Sequence, residues 1–469
     1  MIPDDPATRS PDPTHVFREY DVRGVADRDL GDGLVERIGR AFGATIAEGT
    51  AARPRITVGR DCRLSSPRLF ERLVAGLVGA GVEVLDVGVG PTPLLYFAAH
   101  HLDADAGVMI TGSHNPAEDN GFKLLRRSGP FFGADLQELA RRAASDGDAR
   151  GGGSVQTVPV DDAYVERLVQ GLALPRDLRV VVDAGNGAAG PLGARALRAA
   201  GLEPELLHCE MDGSFPHHHP DPTVPENLRE LVARVRALDA HVGIAWDGDG
   251  DRLGVVDADG SVVWGDRLLA LFARDVLTQH PGAAVIGEVK CSTHAFADIA
   301  RHGGRPILWK TGHSLIKKKM REESALLAGE MSGHFFFADR YLGFDDGIYA
   351  ALRLCERLGR GPRTVGEQLR DLPAGVSTPE LRVPCDDASK RDVVSEATRL
   401  LAGEGELLEI DGVRVTWPDG AWALVRASNT GPILVLRCEA PSPARLDEIR
   451  ARVESVVDRA RHAVERSPT

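Results

Sequence analysis

The chain has 469 residues, 43 % of them hydrophobic and 27 % charged, with a formal net charge of −13. That length exceeds a single compact core and accommodates three or four domains, and the composition is neither disordered nor fibrous. An acidic chain is unsuited to nonspecific binding of nucleic acid or anionic lipid, and no apolar run reaches the length of a membrane span. The opening MIPDDPATRSPDPTHVF lacks a basic-then-apolar signal pattern, so a cytoplasmic location is expected. The six cysteines lie far apart without a CxxC pair and are expected to be reduced, structural thiols.

In chain order, Leu34, Ile38, Phe42 and Ile46 recur at helical spacing, and Ser66-Pro67 reads as an N-cap with proline at the first helical position. Ile56–Val58, Val82–Val87, Gly107–Ile110, Val180–Val182, Val242–Trp246 and Ala284–Ile286 are short β-branched runs expected as buried strands. Strands alternating with helices imply α/β domains with largely parallel sheets. Beyond residue 380 the pattern changes to short strands. It closes with a helix presenting Leu446, Ile449, Val453, Val456 and Ala460 on one face. Polar or proline-bearing breaks at Ser145–Ser154 and Leu372–Pro379, and a less distinct one near Ala258–Ser261, divide the chain into 1–154, 155–258, 259–372 and 373–469. The expected fold is three similar α/β domains with mixed, largely parallel sheets, plus a smaller C-terminal α+β domain, around a central cleft.

Three glycine-rich turns follow apolar strands: GVMITGSHNP, VVVDAGNG and GIAWDGDGDR. In the last, Asp247, Asp249 and Asp251 alternate with glycines, so a tight loop can aim several carboxylate oxygens at one hard cation. The bland reading is a solvated acidic turn. An EF-hand is disfavoured, because Ala258 stands at the twelfth loop position. In TGSHNP, Pro116 stops a helix and Gly112 permits a turn that exposes the Ser113 hydroxyl as a nucleophile, or merely as a turn hydroxyl. The GxSxG elbow of lipases does not fit.

Together these loops resemble the α-D-phosphohexomutases, in the phosphomannomutase/phosphoglucomutase branch. Thr111–Pro116, Asp247–Arg252, Gly329–His334 and Arg426–Thr430 occur in the family's order, as do Phe17–Gly24, Val58–Asp61, Pro91–Pro93, Asn120–Lys123, Pro220–Leu228 and Lys310–Ser314. The resemblance spans nearly the whole chain. It implies an isomerase-class phosphotransferase that interconverts hexose 1-phosphate and hexose 6-phosphate through phospho-Ser113 and a bound hexose 1,6-bisphosphate. Mg²⁺ would be held by Ser113, Asp247, Asp249 and Asp251, with the bisphosphate as activator.

By the same resemblance, Lys123, His313, His334 and Arg23 are candidates for proton transfer or charge neutralisation. Tyr20, Lys290, Thr311, Gly312, Glu330, Ser332, Arg426, Ser428, Asn429 and Thr430 are substrate-binding candidates, and Arg60 joins them. Arg252 either balances the acidic cluster or is a structural ion-pair partner. Gly431 makes the Arg426–Thr430 loop flexible. His217-His218-His219 is expected to be a structural loop, since consecutive histidines cannot all face one ion. Small phosphosugars are the expected partners, and several family members work as monomers. Phosphoglucosamine mutase, a Mg²⁺-dependent sugar phosphatase and a non-catalytic sugar-phosphate binder are the alternatives. The first usually has Gln at the place of Met331 and Ala at that of Gly112.

Overall fold

The computed structural model describes residues 13–50, 52–145, 150–373, 375–429 and 431–466. Thr430 and part of the Ser145–Ser154 and Leu372–Pro379 breaks lie outside them. The chain forms two compact units, Met1–Trp264 with Ser332–Gln368, and Gly265–Met331 with Leu369–Thr469. Among the described residues no helix is long and apolar enough to cross a membrane.

The first unit carries two sheets. The first comprises β1 (Val22–Val25), β2 (Arg55–Arg60), β3 (Glu83–Val89), β4 (Ala106–Ile110), β5 (Asp119–Arg126), β6 (Gly129–Pro130) and β7 (Ser154–Thr157), in the order β1-β5-β4-β2-β3-β7 with β6 against β5. β2, β3, β4 and β7 run parallel, whereas β5 is antiparallel to both β4 and β1. The helix Asp32–Glu48 buries Ile38, Phe42 and Ile46 on the common core with Ile56, Val58 and Val108, as its periodicity requires. The next helix begins one residue away from the expected cap. Ser65 is the N-cap and Ser66 the first helical residue, because the Ser66 hydroxyl is drawn inward to Asp61 Oδ1 at 2.6 Å.

The second sheet is β8 (Val180–Asp183), β9 (Glu205–Leu207), β10 (Val242–Trp246), β11 (Leu253–Asp257) and β12 (Val262–Val263), ordered β12-β11-β10-β8-β9. β10 and β9 flank β8 in parallel, while β11 returns antiparallel along β10. The loops after β4, β8 and β10 are therefore at the carboxyl ends of parallel strands, where α/β proteins place ligands.

In the second unit, strand Ala284–Glu288 pairs in parallel with Arg305–Trp309 and Leu327–Gly329. An antiparallel sheet follows, built on Val413–Thr416, Trp422–Ala427 and Ile433–Ala440. Helices Lys390–Leu401 and Pro443–Arg466 pack on it, the latter burying Leu446, Ile449, Val453, Val456 and Ala460 as expected. Buried Arg414 joins the two sheets. Its guanidinium lies 3.6 Å from the Trp422 ring centroid and donates to Val289 O at 2.7 Å and Cys291 O at 3.0 Å. The observed architecture is thus three mixed or parallel α/β domains and a smaller α+β domain. All six cysteines are free thiols, and four are buried.

Candidate active site

β10 ends at Trp246, whose indole donates to Gly347 O at 3.0 Å, and the chain turns at once into Asp247-Gly-Asp-Gly-Asp251. All three carboxylates are fully buried. Gly250, at φ +74°, makes the turn that closes with Gly250 N donating to Asp247 O at 3.0 Å. Gly248 serves a different need: a Cβ there would lie 2.4 Å from Ser113 O. Only glycine lets the acidic loop and the serine loop touch.

Ser113 sits between β4 and β5, nearly fully buried, and donates from Oγ to Asp247 Oδ2 at 3.2 Å. The left-handed residue is Ser113 itself, at φ +50°, rather than Gly112. For a non-glycine residue this costs about 1–2 kcal/mol and has to be imposed by its surroundings. Thr111 Oγ1 accepts from Ser113 N at 2.8 Å, and Arg63 holds the loop. The Arg63 guanidinium, buried and 3.2 Å from Asp61, donates to Ser113 O at 2.7 Å, Asn115 O at 2.6 Å, Asp119 O at 3.0 Å and Pro116 O. A Cβ on Gly112 would meet this guanidinium at 2.6 Å, so Gly112 is present for close approach and not for a special turn.

Lys123, on β5, donates from Nζ to Asp249 Oδ2 and Asp251 Oδ2, and Thr92 Oγ1 also donates to Asp249 Oδ2. Arg252 Nε lies 3.8 Å from Asp247 Oδ2 and donates to His334 Nε2 at 3.0 Å. With Nε2 accepting, the His334 hydrogen is on Nδ1, which faces Asp345 at 3.1 Å and Asp251 at 3.5 Å. Burial and the charges of Asp249 and Asp251 push Asp247 well above the usual carboxylate range. Burial opposes the charge on Asp249 too, but Lys123 holds it low. Lys123 is itself raised: burial works against its charge, and Asp249 and Asp251 outweigh it. His114, whose Nδ1 is 3.1 Å from Ser113 Oγ, is lowered by burial and by Arg252 and Arg23.

Oxygens from Asp247, Asp249 and Asp251 fall within 4.8 Å of one another. Lys123 takes the Oδ2 atoms of Asp249 and Asp251, whereas their buried Oδ1 atoms accept no hydrogen bond. Two orphaned anionic oxygens beside a third carboxylate and a serine hydroxyl form an all-oxygen donor set that fits a hard divalent cation.

The other expected residues of this unit surround the loop less directly. Arg23 pairs with Asp21 at 2.6 Å and donates to Asn115 Oδ1 at 2.8 Å, so it reaches the serine loop through Asn115. Tyr20 is buried. Arg60 is tied to Asp86 at 2.9 Å and lies over the Phe70 ring. Ser332 belongs to the Ser332–Gln368 segment of this unit.

The second unit gathers a separate set. Glu330, buried, accepts from Gly312 N at 2.7 Å through Oε1. Thr311 Oγ1 donates to Glu288 at 2.8 Å, and Thr311 N donates to Asp411 Oδ2 at 3.0 Å, the same oxygen that accepts from Arg426 Nε at 3.0 Å. Lys290 Nζ pairs with Glu380 at 3.0 Å. His313 opens the helix His313–Glu323, with Nδ1 3.2 Å from Lys317 Nζ. Ser428 is buried, and Asn429 closes the described part of its loop. Gly431 does not leave that loop unrestrained, because Lys390 Nζ donates to Ser428 O at 2.6 Å and to Gly431 O at 3.1 Å.

Arg63, Thr92, Glu288, Asp411 and Lys390 were not singled out in the sequence. Thr92 is the centre of Pro91-Thr-Pro93, and Glu288 stands at the carboxyl end of a parallel strand, so both carried a readable signal. Arg63 and Asp411 carried none.

Four family models match in order: phosphoglucomutase/phosphomannomutase α/β/α domain I over residues 14–150, domain II over 162–260, domain III over 264–375 and the C-terminal domain over 380–456. A phosphomannomutase/phosphoglucomutase of Pseudomonas aeruginosa is 47 % identical over 440 residues, covering 93 % of this chain and 94 % of that protein. A phosphoglucomutase of Neisseria gonorrhoeae is 45 % identical over 454 residues, covering 96 % and 98 %. The crystal structure of a phosphoglucomutase/phosphomannomutase family protein from Burkholderia thailandensis superposes with a TM-score of 0.87 at 44 % identity, covering 97 % of this chain and 98 % of that one. Four matched domains in register and a buried serine facing a carboxylate triad make this chain a member of the phosphoglucomutase/phosphomannomutase family, an enzyme of the mutase class.

Proposed function

We propose that the enzyme interconverts mannose or glucose 1-phosphate and the corresponding 6-phosphate, with Ser113 carrying the transferred phosphoryl group. The observation that carries this reading is Ser113 Oγ directed at Asp247 Oδ2 over 3.2 Å, beside the orphaned oxygens of Asp249 and Asp251. In the first step the substrate O6 forms a bond to phosphorus as the Ser113 Oγ–P bond breaks, giving a hexose 1,6-bisphosphate. In the second, Ser113 Oγ takes the C1 phosphoryl group and releases the 6-phosphate. The proton lost by the attacking hydroxyl passes to a neighbouring base; His313 is one candidate, and His334 becomes one where substrate draws Arg252 away from its Nε2.

Asp247, Asp249, Asp251 and the Ser113 oxygen would hold Mg²⁺, which when bound withdraws charge from the transferring phosphoryl group. Lys123 neutralises two of the carboxylates and keeps them spaced. Arg23 and Arg63 position the serine loop. Glu330 is read as an acceptor for sugar hydroxyls, and Ser332 is read as a sugar-binding residue. Arg426, Ser428 and Asn429 are read as donors to the phosphate that does not react, with Thr430 following outside the described residues. Tyr20, Lys290, Thr311 and Gly312 are binding residues in this reading. A trace of hexose 1,6-bisphosphate would restore any Ser113 left unphosphorylated and so act as activator. The domains are taken as 1–154, 155–258, 259–372 and 373–469, with β7 extending the first and β12 the second past those limits, and the enzyme is read as cytoplasmic.

The test follows ³¹P signals of the protein with Mg²⁺ and trace hexose 1,6-bisphosphate, offered mannose, glucose and glucosamine 1-phosphates separately. Growth of a 6-phosphate signal fastest with mannose or glucose is expected, and its loss in Ser113→Ala. Free phosphate alone would replace this reading by a phosphatase, and a fastest glucosamine tube would move the enzyme to the other branch.

A further inference from the structure

A second set of metal-ligating side chains lies in the first unit, outside the acidic loop. Asp183 is the last residue of β8, His208 follows β9 directly, and His218 comes from the stretch leading to Pro220. One ligand atom of each falls within 4.8 Å of the others. His218 Nε2 is 3.0 Å from Asp183 Oδ2 and 3.1 Å from Oδ1, a spacing at which an ion can take the place of the shared proton. His208 Nε2 lies 3.0 Å from Glu230 Oε2, a carboxylate that holds one nitrogen of this ring. The side chains of Asp183, His208 and His218 are 1 %, 11 % and 18 % exposed, buried enough to be ordered and open enough for an ion to enter.

A further layer orients the rings. His217 stacks on His208 with centroids 3.8 Å apart, and its Nδ1 is 2.7 Å from Asn186 Oδ1. His218 Nδ1 is 3.0 Å from His219 O, and metal-ligating imidazoles are held by such a bond on the other ring nitrogen. The three histidines of His217-His218-His219 do not converge on one point. Only His218 does, and its imidazole partner comes from a distant strand end.

We propose that Asp183, His208 and His218 form a second metal site, for a divalent first-row transition ion of the Zn²⁺ class, with water completing the shell. Two imidazoles and a carboxylate are a borderline donor set that favours such an ion over Mg²⁺. Cys209, the neighbour of His208, does not join it. Its thiol donates to Leu207 O at 3.3 Å. A protonated His218 paired with Asp183 would account for those two residues alone. It leaves unexplained why a nitrogen of His208 falls within 4.8 Å of both. The ion would tie the ends of β8 and β9 to the strap carrying Pro220, whose carbonyl accepts from Gly248 N at 3.1 Å. It is thus placed to stiffen the support of the acidic loop.

The test uses the full chain stripped of metal and equilibrated with Zn²⁺ in excess Mg²⁺, in the wild type and in an Asp249→Asn background that disables the acidic loop. Ions retained against a chromophoric chelator are counted, and Co²⁺ substitution reports imidazole ligation by visible absorption. A single Zn²⁺ is expected to persist in Asp249→Asn. Its affinity should fall at least about tenfold in His208→Asn and in His218→Asn. Circular dichroism checks that each variant is folded, and His208→Gln serves if His208→Asn is not. Equal Zn²⁺ retention with and without His208, or no retained ion in Asp249→Asn, would overturn the proposal.

Discussion

Lys123 Nζ donates to Asp249 Oδ2 at 2.6 Å and to Asp251 Oδ2 at 2.5 Å, so one buried ammonium bridges two of the three carboxylates that follow β10. Its removal leaves buried anions facing one another. Lys123→Met is expected to lower stability by about 3 kcal/mol and turnover by roughly 10²–10⁴-fold. Because a divalent cation then becomes the main counter-charge, the variant's melting temperature should rise more steeply with Mg²⁺ than the wild type's. Thermal melts across a Mg²⁺ series decide it. A wild-type melting temperature without metal would show that the ammonium is not needed for charge balance.

Gly112 faces a guanidinium that cannot swing away, since Arg63 is pinned by Asp61 and by the carbonyls of the serine loop. Gly112→Ala should therefore displace the loop, at a cost of about 1–3 kcal/mol, and reduce turnover by at least about tenfold. Steady-state kinetics and denaturant unfolding measured together check this. Unchanged values would mean that Arg63 yields more easily than its contacts imply.

Glu380 is held down at about 2 by the Lys290 ammonium, with burial opposing. Its folded pKa lies below its unfolded value, so between pH ~4.5 and ~2 the unfolded chain binds more protons and stability rises with pH. The contribution is complete above the unfolded pKa and is lost as pH falls through the folded one. Glu380→Gln should be less stable than wild type by on the order of 2 kcal/mol at neutral pH, with the gap closing on acidification through this window. Paired melting curves along a pH series supply the measurement, and a gap independent of pH would contradict it.

Asp411 Oδ2 accepts from both Arg426 Nε and Thr311 N, so a carboxylate already occupies the guanidinium read as a phosphate donor. Asp411→Asn keeps an acceptor for Arg426 and removes the charge that would repel a dianion. The expected outcome is a KM about 3–10-fold lower with kcat nearly unchanged. A raised KM would instead make Asp411 the residue that positions Arg426.

Much of the fold was legible because its periodicities are local. The apolar runs around Val58, Val108, Val182, Ile244 and Ile286 all became buried strands, and the C-terminal helix buries the face read from its spacing. Ser66 was misplaced by one position because the pull of Asp61 on its hydroxyl is a tertiary contact. Gly112 was given the wrong reason: the left-handed residue is its neighbour, and what lies opposite Gly112 is an arginine from the end of another strand. Nothing near Arg63 in the chain marks it as the residue that binds four carbonyls of a loop some fifty positions away.

The sequence by itself determined the two chemical loops, because alternating carboxylates with glycines, and a serine between a strand and a proline, are local facts about donors and backbone freedom. It also identified the family, because motifs in a common order survive whatever the loops between them do. Only the tertiary structure decided that Ser113 meets Asp247, that Lys123 lies between Asp249 and Asp251, and that His208 and His218 converge on Asp183. The physical reason is the sheet. Parallel strands joined by crossovers carry residues far apart in the chain to a common carboxyl edge, and which of them meet is set by strand order and register.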